Sequence, residues 1–203
     1  MTIVGPPGVG KTRFAEEVIA QSPPQRVSVS CWLGDARTER ALCRLVARAL
    51  GLPVSSSGRV ASFAGKISDR LVGRLLLLDQ ADALDEQARA LVGRWTEREG
   101  VSVLSTARES LHLLGERVFS LGPLAFDLGS VRPRERGPAV DMLCALLHGS
   151  QIDVRRPELL SALTKIAAAV DGVPLALELV APQIASAGVE FVLAKLKSES
   201  RPT

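Results

Sequence analysis

The most constraining feature of this sequence is a glycine-rich stretch near its start, GPPGVGKT over residues 5–12. It fits the pattern G-x-x-x-x-G-K-[ST] in full, follows a short β-branched run and precedes a helical pattern. Glycines let successive backbone N–H groups turn toward one anion, and the start of the following helix adds further donors and partial positive charge. The stretch therefore predicts a phosphate-binding loop rather than an ordinary Gly/Pro turn.

This loop predicts a nucleoside triphosphate with Mg²⁺ as the ligand. We expect Lys11 to reach the β- and γ-phosphates and the Thr12 hydroxyl to ligate the metal. The predicted nucleotide-binding residues of this region are Gly8, Val9, Gly10, Lys11, Thr12 and Arg13.

Length and composition limit the classes of protein that fit. A chain of 203 residues holds one ordinary domain and a small second one, and 46% hydrophobic with 23% charged residues is typical of a folded protein. No apolar run approaches the roughly 20 residues that span a bilayer, and no export signal is recognisable. The three cysteines are odd in number and widely spaced, which favours reduced thiols. We expect a cytoplasmic protein without membrane contact.

The charge pattern argues against a nucleic-acid ligand. The net charge is only +3, and the arginines are scattered among acidic residues. The densest group, Arg132, Arg134 and Arg136, is more typical of a solvated linker. The sequence has no Tyr and only 3% aromatic residues, so it lacks stacking platforms for single strands. Direct nucleic-acid binding is therefore not expected.

The first part of the chain alternates apolar strand patterns with amphipathic helix patterns. The predicted strands are 1–4, 26–33, 73–79, 101–106 and 119–121, and the predicted helices are 11–21, 38–50, 60–72 and 85–100. This alternation predicts an α/β fold, a parallel sheet flanked by helices. Ligands of such sheets bind at the carboxyl ends of the strands.

The pattern changes after residue 126. A Pro/Gly/Arg-rich linker is predicted over 127–138, between a P-loop nucleotide-binding domain at 1–126 and a small helical domain at 139–203. Four helices are predicted there, at 139–148, 157–170, 174–187 and 189–197. Gly51 and Gly172 are placed to end helices, and Pro182 should kink or end the third of the four near Ala181.

Asp79 follows the apolar run Leu75-Leu76-Leu77-Leu78 and is the predicted acidic ligand of Mg²⁺. The next residue, Gln80, occupies a position where many ATPases carry a second acid that deprotonates the attacking water. A glutamine orients water but accepts no proton, so hydrolysis should be slow. Asp82 is the nearest alternative carboxylate.

Arg108 follows the fourth predicted strand and is a candidate sensor of the γ-phosphate, because the guanidinium fork suits phosphate oxygens. An arginine at a strand end is, by itself, more often a surface residue. The predicted catalytic residues are therefore Lys11, Asp79, Gln80 and Arg108.

Four stretches together resemble a known family: residues 5–12, 75–79, 103–124 and 171–179. They are similar to the nucleotide-binding domain of STAND ATPases (signal-transduction ATPases with numerous domains), the NB-ARC-like relatives of AAA+ proteins. The resemblance implies that Arg108 senses the γ-phosphate and that Pro174, in the family's G-x-P motif, packs against the nucleotide. Gln80 and Ala107 depart from the family's usual residues.

The resemblance implies an ATP- or ADP-binding switch with Mg²⁺, slow hydrolysis, and nucleotide-controlled domain arrangement or oligomerisation. It also implies sensor and effector domains, which we expect to lie outside these 203 residues. Two alternatives remain open at this point. One is an actively hydrolysing AAA+-type ATPase, and the other is a nucleotide-binding scaffold without turnover.

Overall fold

The computed structural model describes residues 1–23, 28–34, 36–54, 60–126, 136–150, 152 and 156–199, without the side chains of 60–62 and 199. The predicted turn at 55–58, most of the predicted linker, and Arg132 and Arg134 lie outside the described residues. The chain divides into two compact units. The first contains Met1–Pro6 and Lys11–Leu121, and the second contains Pro7–Gly10 and Gly122–Thr203. The proposed limits of the two domains and the linker stay a prediction.

The first unit contains a sheet of five parallel strands. These are β1 (Thr2–Val4), β2 (Ser28–Trp32), β3 (Leu75–Asp79), β4 (Ser102–Ala107) and β5 (Val118–Ser120). Their order across the sheet is β2-β3-β4-β1-β5, and every neighbouring pair is parallel. The predicted α/β class and parallel sheet are confirmed.

Four helices and one short 3₁₀ turn join these strands. They are α1 (Lys11–Ala20), α2 (Glu39–Ala49), α3 (Val60–Leu71), the 3₁₀ turn Ala81–Ala83 and α4 (Glu86–Thr96). Side-chain caps fix two helix starts, since Thr38 accepts from the Ala41 N–H and Asp85 accepts from the Ala88 N–H. Gly51 follows α2 with φ +69°, as its predicted capping role requires.

Strand β3 is buried along its whole length, and its two faces belong to different parts of the core. Leu76 and Leu78 lie in the larger cluster with the buried residues of α2 and α4, whereas Leu75 and Leu77 lie in a smaller cluster with Ile3. This two-residue alternation is the strand period. Burial on both faces holds the strand firmly and fixes the position of Asp79 at its carboxyl end.

The connection from β4 to β5 is organised by one carboxylate, Glu116. Its oxygens accept from the Ser110 hydroxyl at 2.6 Å, the Leu111 N–H at 3.0 Å and the Leu113 N–H at 3.3 Å. Burial alone would raise the pKa of Glu116, but these hydrogen bonds, together with one from Thr2, hold it below its usual value. We call this set of contacts the Glu116 clamp.

The second unit contains α5 (Pro138–Leu146), α6 (Pro157–Ala169), α7 (Pro174–Ala187) and α8 (Val189–Glu199). The four predicted helices are confirmed, with small differences at their ends. They enclose one apolar core, in which Leu143, Leu163, Leu177 and Ile184 are fully buried. Within the described part of the chain, no helix has the length and apolar character needed to cross a membrane.

The sequence predicted that Pro182 would either kink helix α7 or end it near Ala181. The helix does not end there. It continues through the proline to Ala187. The proline lies on the exposed side, while its neighbour Ala181 and the later Ile184 are buried in the core. Packing on both sides of Pro182 therefore compensates for the backbone hydrogen bond that the proline cannot make.

Candidate functional site

Asp79 lies at the carboxyl end of β3 and is only 6% exposed. The Thr12 hydroxyl, at the start of α1, donates to its two carboxylate oxygens at 2.9 and 3.1 Å. The two predicted metal ligands are therefore in direct contact, although 67 residues separate them in the sequence. A hydroxyl and a carboxylate oxygen are the hard ligands that Mg²⁺ prefers.

Thr106, near the end of β4, completes this network. Its hydroxyl donates to Asp79 Oδ1 at 2.5 Å and accepts from the Gln80 N–H at 3.0 Å. The residue is 1% exposed, so its hydroxyl has no access to solvent. The sequence analysis gave Thr106 no role of its own. A buried hydroxyl residue near the end of β4, the strand next to the one that carries Asp79, was the available signal.

Lys11 lies at the start of α1, with its ammonium turned back onto the loop. Its Nζ donates to the Gly5 carbonyl at 2.8 Å and to the Pro6 carbonyl at 2.9 Å. Burial lowers the pKa of this lysine, and the charge of Arg108 lowers it further, while Asp82 and Asp79 raise it. The ammonium is thus held among backbone oxygens that leave it a third donor.

Gln80 adopts a left-handed backbone conformation with φ +64°, unusual for a residue with a side chain. Its N–H is bound to Thr106, and its carbonyl accepts from the Ala83 N–H at 3.2 Å. The side chain is exposed. The backbone bonds on both sides hold the turn that follows β3 and place Asp82 on it.

Arg108 follows β4 directly and its side chain is 71% exposed. Its Nε lies 3.7 Å from Asp82 Oδ2, a loose ion pair. The structure thus brings Lys11, Thr12, Asp79, Gln80, Asp82 and Arg108 together at the carboxyl edge of the sheet. The hydrogen bond from Thr12 to Asp79 and the ion pair of Arg108 with Asp82 connect four of these residues.

The remaining residues predicted to contact nucleotide differ in exposure and in backbone conformation. Val9 is buried, whereas the Arg13 side chain at the start of α1 is exposed. Gly8 and Gly10 have φ of +75° and +95°, which suits glycine in a tight anion-binding turn. Residues Pro7–Gly10 belong to the second unit, as does Pro174.

Within that second unit, the loop residue Gly8 contacts the start of α7. The Gly8 carbonyl accepts from the Leu175 N–H at 3.1 Å, and a Cβ on Gly8 would lie 2.9 Å from the Leu175 Cβ. Leu175 directly follows Pro174, the first residue of α7. A side chain at position 8 would therefore displace the residue next to the predicted nucleotide-contacting proline.

Gly172 shows why the Gly-Val-Pro turn needs its glycine. It has φ +63°, and a Cβ there would lie 2.0 Å from the Leu124 carbonyl oxygen. The Gly172 carbonyl accepts from the Leu124 N–H at 3.0 Å, and its own N–H donates to the Ala167 carbonyl at 2.8 Å. Both the left-handed backbone and the close approach of a second backbone segment exclude other residues.

The parallel sheet, the glycine-rich loop after β1 and the acid at the end of β3 define the fold of P-loop NTPases. The chain belongs to the AAA domain family, which matches residues 1–114.

Curated relatives extend this likeness over the whole chain. Uncharacterized proteins of Mycobacterium bovis and Mycobacterium tuberculosis are 26% identical to it over 206 aligned residues, covering 99% of this chain. The chain spans about half the length of these relatives, since the matched part is 50% of each.

Three solved structures share the fold. Cdc6p from Pyrobaculum aerophilum has a TM-score of 0.62 and 18% identity, over 92% of this chain and 56% of that one. Drosophila ORC bound to DNA has a TM-score of 0.63 and 14% identity, over 98% and 60%. A STAND protein with a tetratricopeptide repeat sensor from Pyrococcus horikoshii has a TM-score of 0.54 and 14% identity, over 99% and 30%.

Proposed function

We propose that this chain is the ATP- and ADP-binding switch domain of a STAND-type signalling ATPase. In this proposal the nucleotide is bound with Mg²⁺, hydrolysis is slow, and the nucleotide controls the arrangement of domains or self-association. The observation that carries the proposal is the direct contact of Thr12 with Asp79, beside a complete phosphate-binding loop.

The donor set fits Mg²⁺ and a polyphosphate. Thr12 and Asp79 would hold the metal, which neutralises phosphate charge when bound. Lys11 is already positioned on the loop carbonyls and keeps a donor for a phosphate oxygen. Thr106 acts through Asp79: its hydroxyl orients the carboxylate and occupies one lone pair of Oδ1.

Slow hydrolysis follows from the residue at position 80. The Gln80 side chain is exposed and has no carboxylate to take a proton from water. It orients water at best, as a glutamine does in some GTPases. This feature favours a switch over the alternative of an actively hydrolysing ATPase.

The switch role is supported by the resemblance over 103–124 and 171–179 and by the shared fold of the Pyrococcus STAND protein. In our proposal Arg108 responds to the γ-phosphate, and Pro174 responds to the nucleotide. The contact of Leu175 with Gly8 supports it further, because a phosphate-loop residue there touches the start of the proline-led helix. A ligand shifts a conformational equilibrium only through such differential contacts.

The proposed partners are the nucleotide, further copies of the chain, and sensor or effector domains. Direct nucleic-acid binding is not part of the proposal, because the basic residues are scattered and aromatic residues are few. ORC from Drosophila, which shares the fold, was solved bound to DNA. A cytoplasmic location remains a prediction from the sequence.

The test is calorimetric titration of the purified protein with ADP and with AMP-PNP, a non-hydrolysable triphosphate, with and without Mg²⁺. We expect Lys11→Ala to weaken binding of both by about 100-fold or more, because the charge-assisted contacts to phosphate are lost. Lys66→Ala is the matched control, since Lys66 is an exposed lysine on α3.

Three outcomes would contradict the proposal. Unchanged nucleotide affinity in Lys11→Ala would exclude the loop as the binding site. Absence of any nucleotide binding by the wild-type protein would exclude both the switch and the nucleotide-binding scaffold. Multiple-turnover hydrolysis at tens per second would favour the actively hydrolysing ATPase.

A further inference from the structure

Asp82 is a carboxylate that the proposed function leaves without a role. It lies in the 3₁₀ turn Ala81–Ala83, which directly follows the metal-binding end of β3. Its neighbours Ala81 and Leu84 are buried at 0% and 2%, so the turn is fixed in the core. The Asp82 side chain itself is 36% exposed, which makes it available to a ligand or a neighbouring cation.

Asp82 is paired with Arg108 at this edge of the sheet. Arg108 Nε lies 3.7 Å from its carboxylate. Burial lowers the pKa of Lys11, and the charge of Asp82 acts in the opposite direction.

Arg108 is the cation that the proposed function assigns to the γ-phosphate. A carboxylate paired with Arg108 competes for this guanidinium with the terminal phosphate of a triphosphate. The β-phosphate of a diphosphate is bound mainly by the loop backbone and Lys11, without Arg108. Asp82 therefore repels a triphosphate more than a diphosphate.

We infer that Asp82 sets the preference of this site for nucleoside diphosphate over triphosphate, by competing with the γ-phosphate for Arg108. This inference rests on the proposed function, since it concerns the same site. When a triphosphate binds, Arg108 must exchange its pairing with Asp82 for one with the phosphate. The aspartate thus raises the triphosphate concentration needed to change the state of the switch.

The experiment measures the Kd of ADP and of AMP-PNP by calorimetry, both with Mg²⁺, for wild type and Asp82→Asn. Asparagine keeps the size of the side chain and removes its charge. We expect AMP-PNP to bind about five- to tenfold more tightly in the variant, with the Kd of ADP within about twofold of wild type. Asp82→Ser repeats the test with a smaller neutral residue.

Two comparisons show whether the effect is specific to this carboxylate. Asp69→Asn removes the charge of an exposed aspartate that is paired with Arg98, and should leave both affinities unchanged. In an Arg108→Ala background, Asp82→Asn should gain less for AMP-PNP than in wild type, because the contested guanidinium is absent.

The outcomes separate this inference from the function on which it rests. If wild type binds neither nucleotide, the proposed function fails and the inference fails with it. If wild type binds both and Asp82→Asn leaves their affinity ratio unchanged, the inference alone is overturned. Loss of hydrolysis in Asp82→Asn with an unchanged affinity ratio would instead assign Asp82 to proton transfer, and would also overturn it.

Discussion

Two carboxylates organise the first unit, and their hydrogen-bond partners differ in kind. Asp79 accepts from the side-chain hydroxyls of Thr12 and Thr106. Glu116 accepts from the N–H groups of Leu111 and Leu113, besides the Ser110 hydroxyl. A threonine hydroxyl can rotate away from a carboxylate and bind a metal, whereas a backbone N–H is fixed by the fold of its loop.

This difference separates a site that exchanges partners from one that holds a loop in place. Removing Asp79 should therefore affect ligand binding first, and removing Glu116 should affect stability first. Both residues are acids near the end of a loop or strand, so residue type alone does not distinguish them. The kind of hydrogen-bond donor that each carboxylate accepts from distinguishes them.

The largest effect is expected for Asp79→Asn. The amide keeps the shape of the side chain but loses the charge that holds Mg²⁺, so the gain in nucleotide affinity from Mg²⁺ should fall by about 100-fold. Calorimetric titration with and without Mg²⁺ measures this change. A variant that keeps the full Mg²⁺ dependence would show that Asp79, like Glu116, is a structural acid.

A smaller effect is expected for Glu116→Ala. Loss of the Glu116 clamp leaves the Leu111 and Leu113 N–H groups without their acceptor, at a cost of about 1–2 kcal/mol in the free energy of unfolding. Urea unfolding measures it, with Glu109→Ala as the control on the same connection. Nucleotide affinity should stay within about twofold, and a tenfold loss would make the clamp part of the site.

The smallest effect concerns pH and the variant Glu116→Gln. Because hydrogen bonds hold the pKa of Glu116 below its usual value, its ionised form stabilises the folded state at pH above about 4.3. This contribution is lost as the pH falls through the lowered pKa. The difference in unfolding free energy between wild type and variant should thus be constant near neutral pH and shrink in acid. A difference that grows on acidification would contradict the assignment.

The sequence predicted the place of Asp79 at the end of a buried strand, because a continuous apolar run is typical of a strand buried on both faces. Its role as a metal ligand remains a prediction. It did not predict the bond from Thr106, which depends on β3 and β4 being neighbours in the sheet. The Glu116 clamp was also missed, since two of its donors are backbone N–H groups, which leave no mark in the residue pattern. Of the two outcomes predicted for Pro182, a kink or an end of the helix, the end was wrong because core packing outweighed the local preference.

The contact of Leu175 with Gly8 could not be predicted for a related reason. The resemblance singled out Pro174, but the hydrogen bond is made by the backbone of the next residue. The roles assigned to Lys11, Gln80, Arg108 and Pro174 remain predictions that the titrations above would test. The alternation of strands and helices, in contrast, was sufficient to predict the fold class.

The order of strands in the sheet has a consequence for folding. Thr12, Asp79 and Thr106 meet only after β3, β4 and β1 have paired, and the pairs join residues 67 and 27 positions apart. Such non-local contacts form late, so this hydrogen-bonded network, the proposed metal site, exists only in the completed sheet. A ligand of this network binds the native state alone, and at 100 times its Kd it adds about 2.7 kcal/mol to the free energy of unfolding. Thermal stability measured against nucleotide concentration thus reports completion of the sheet.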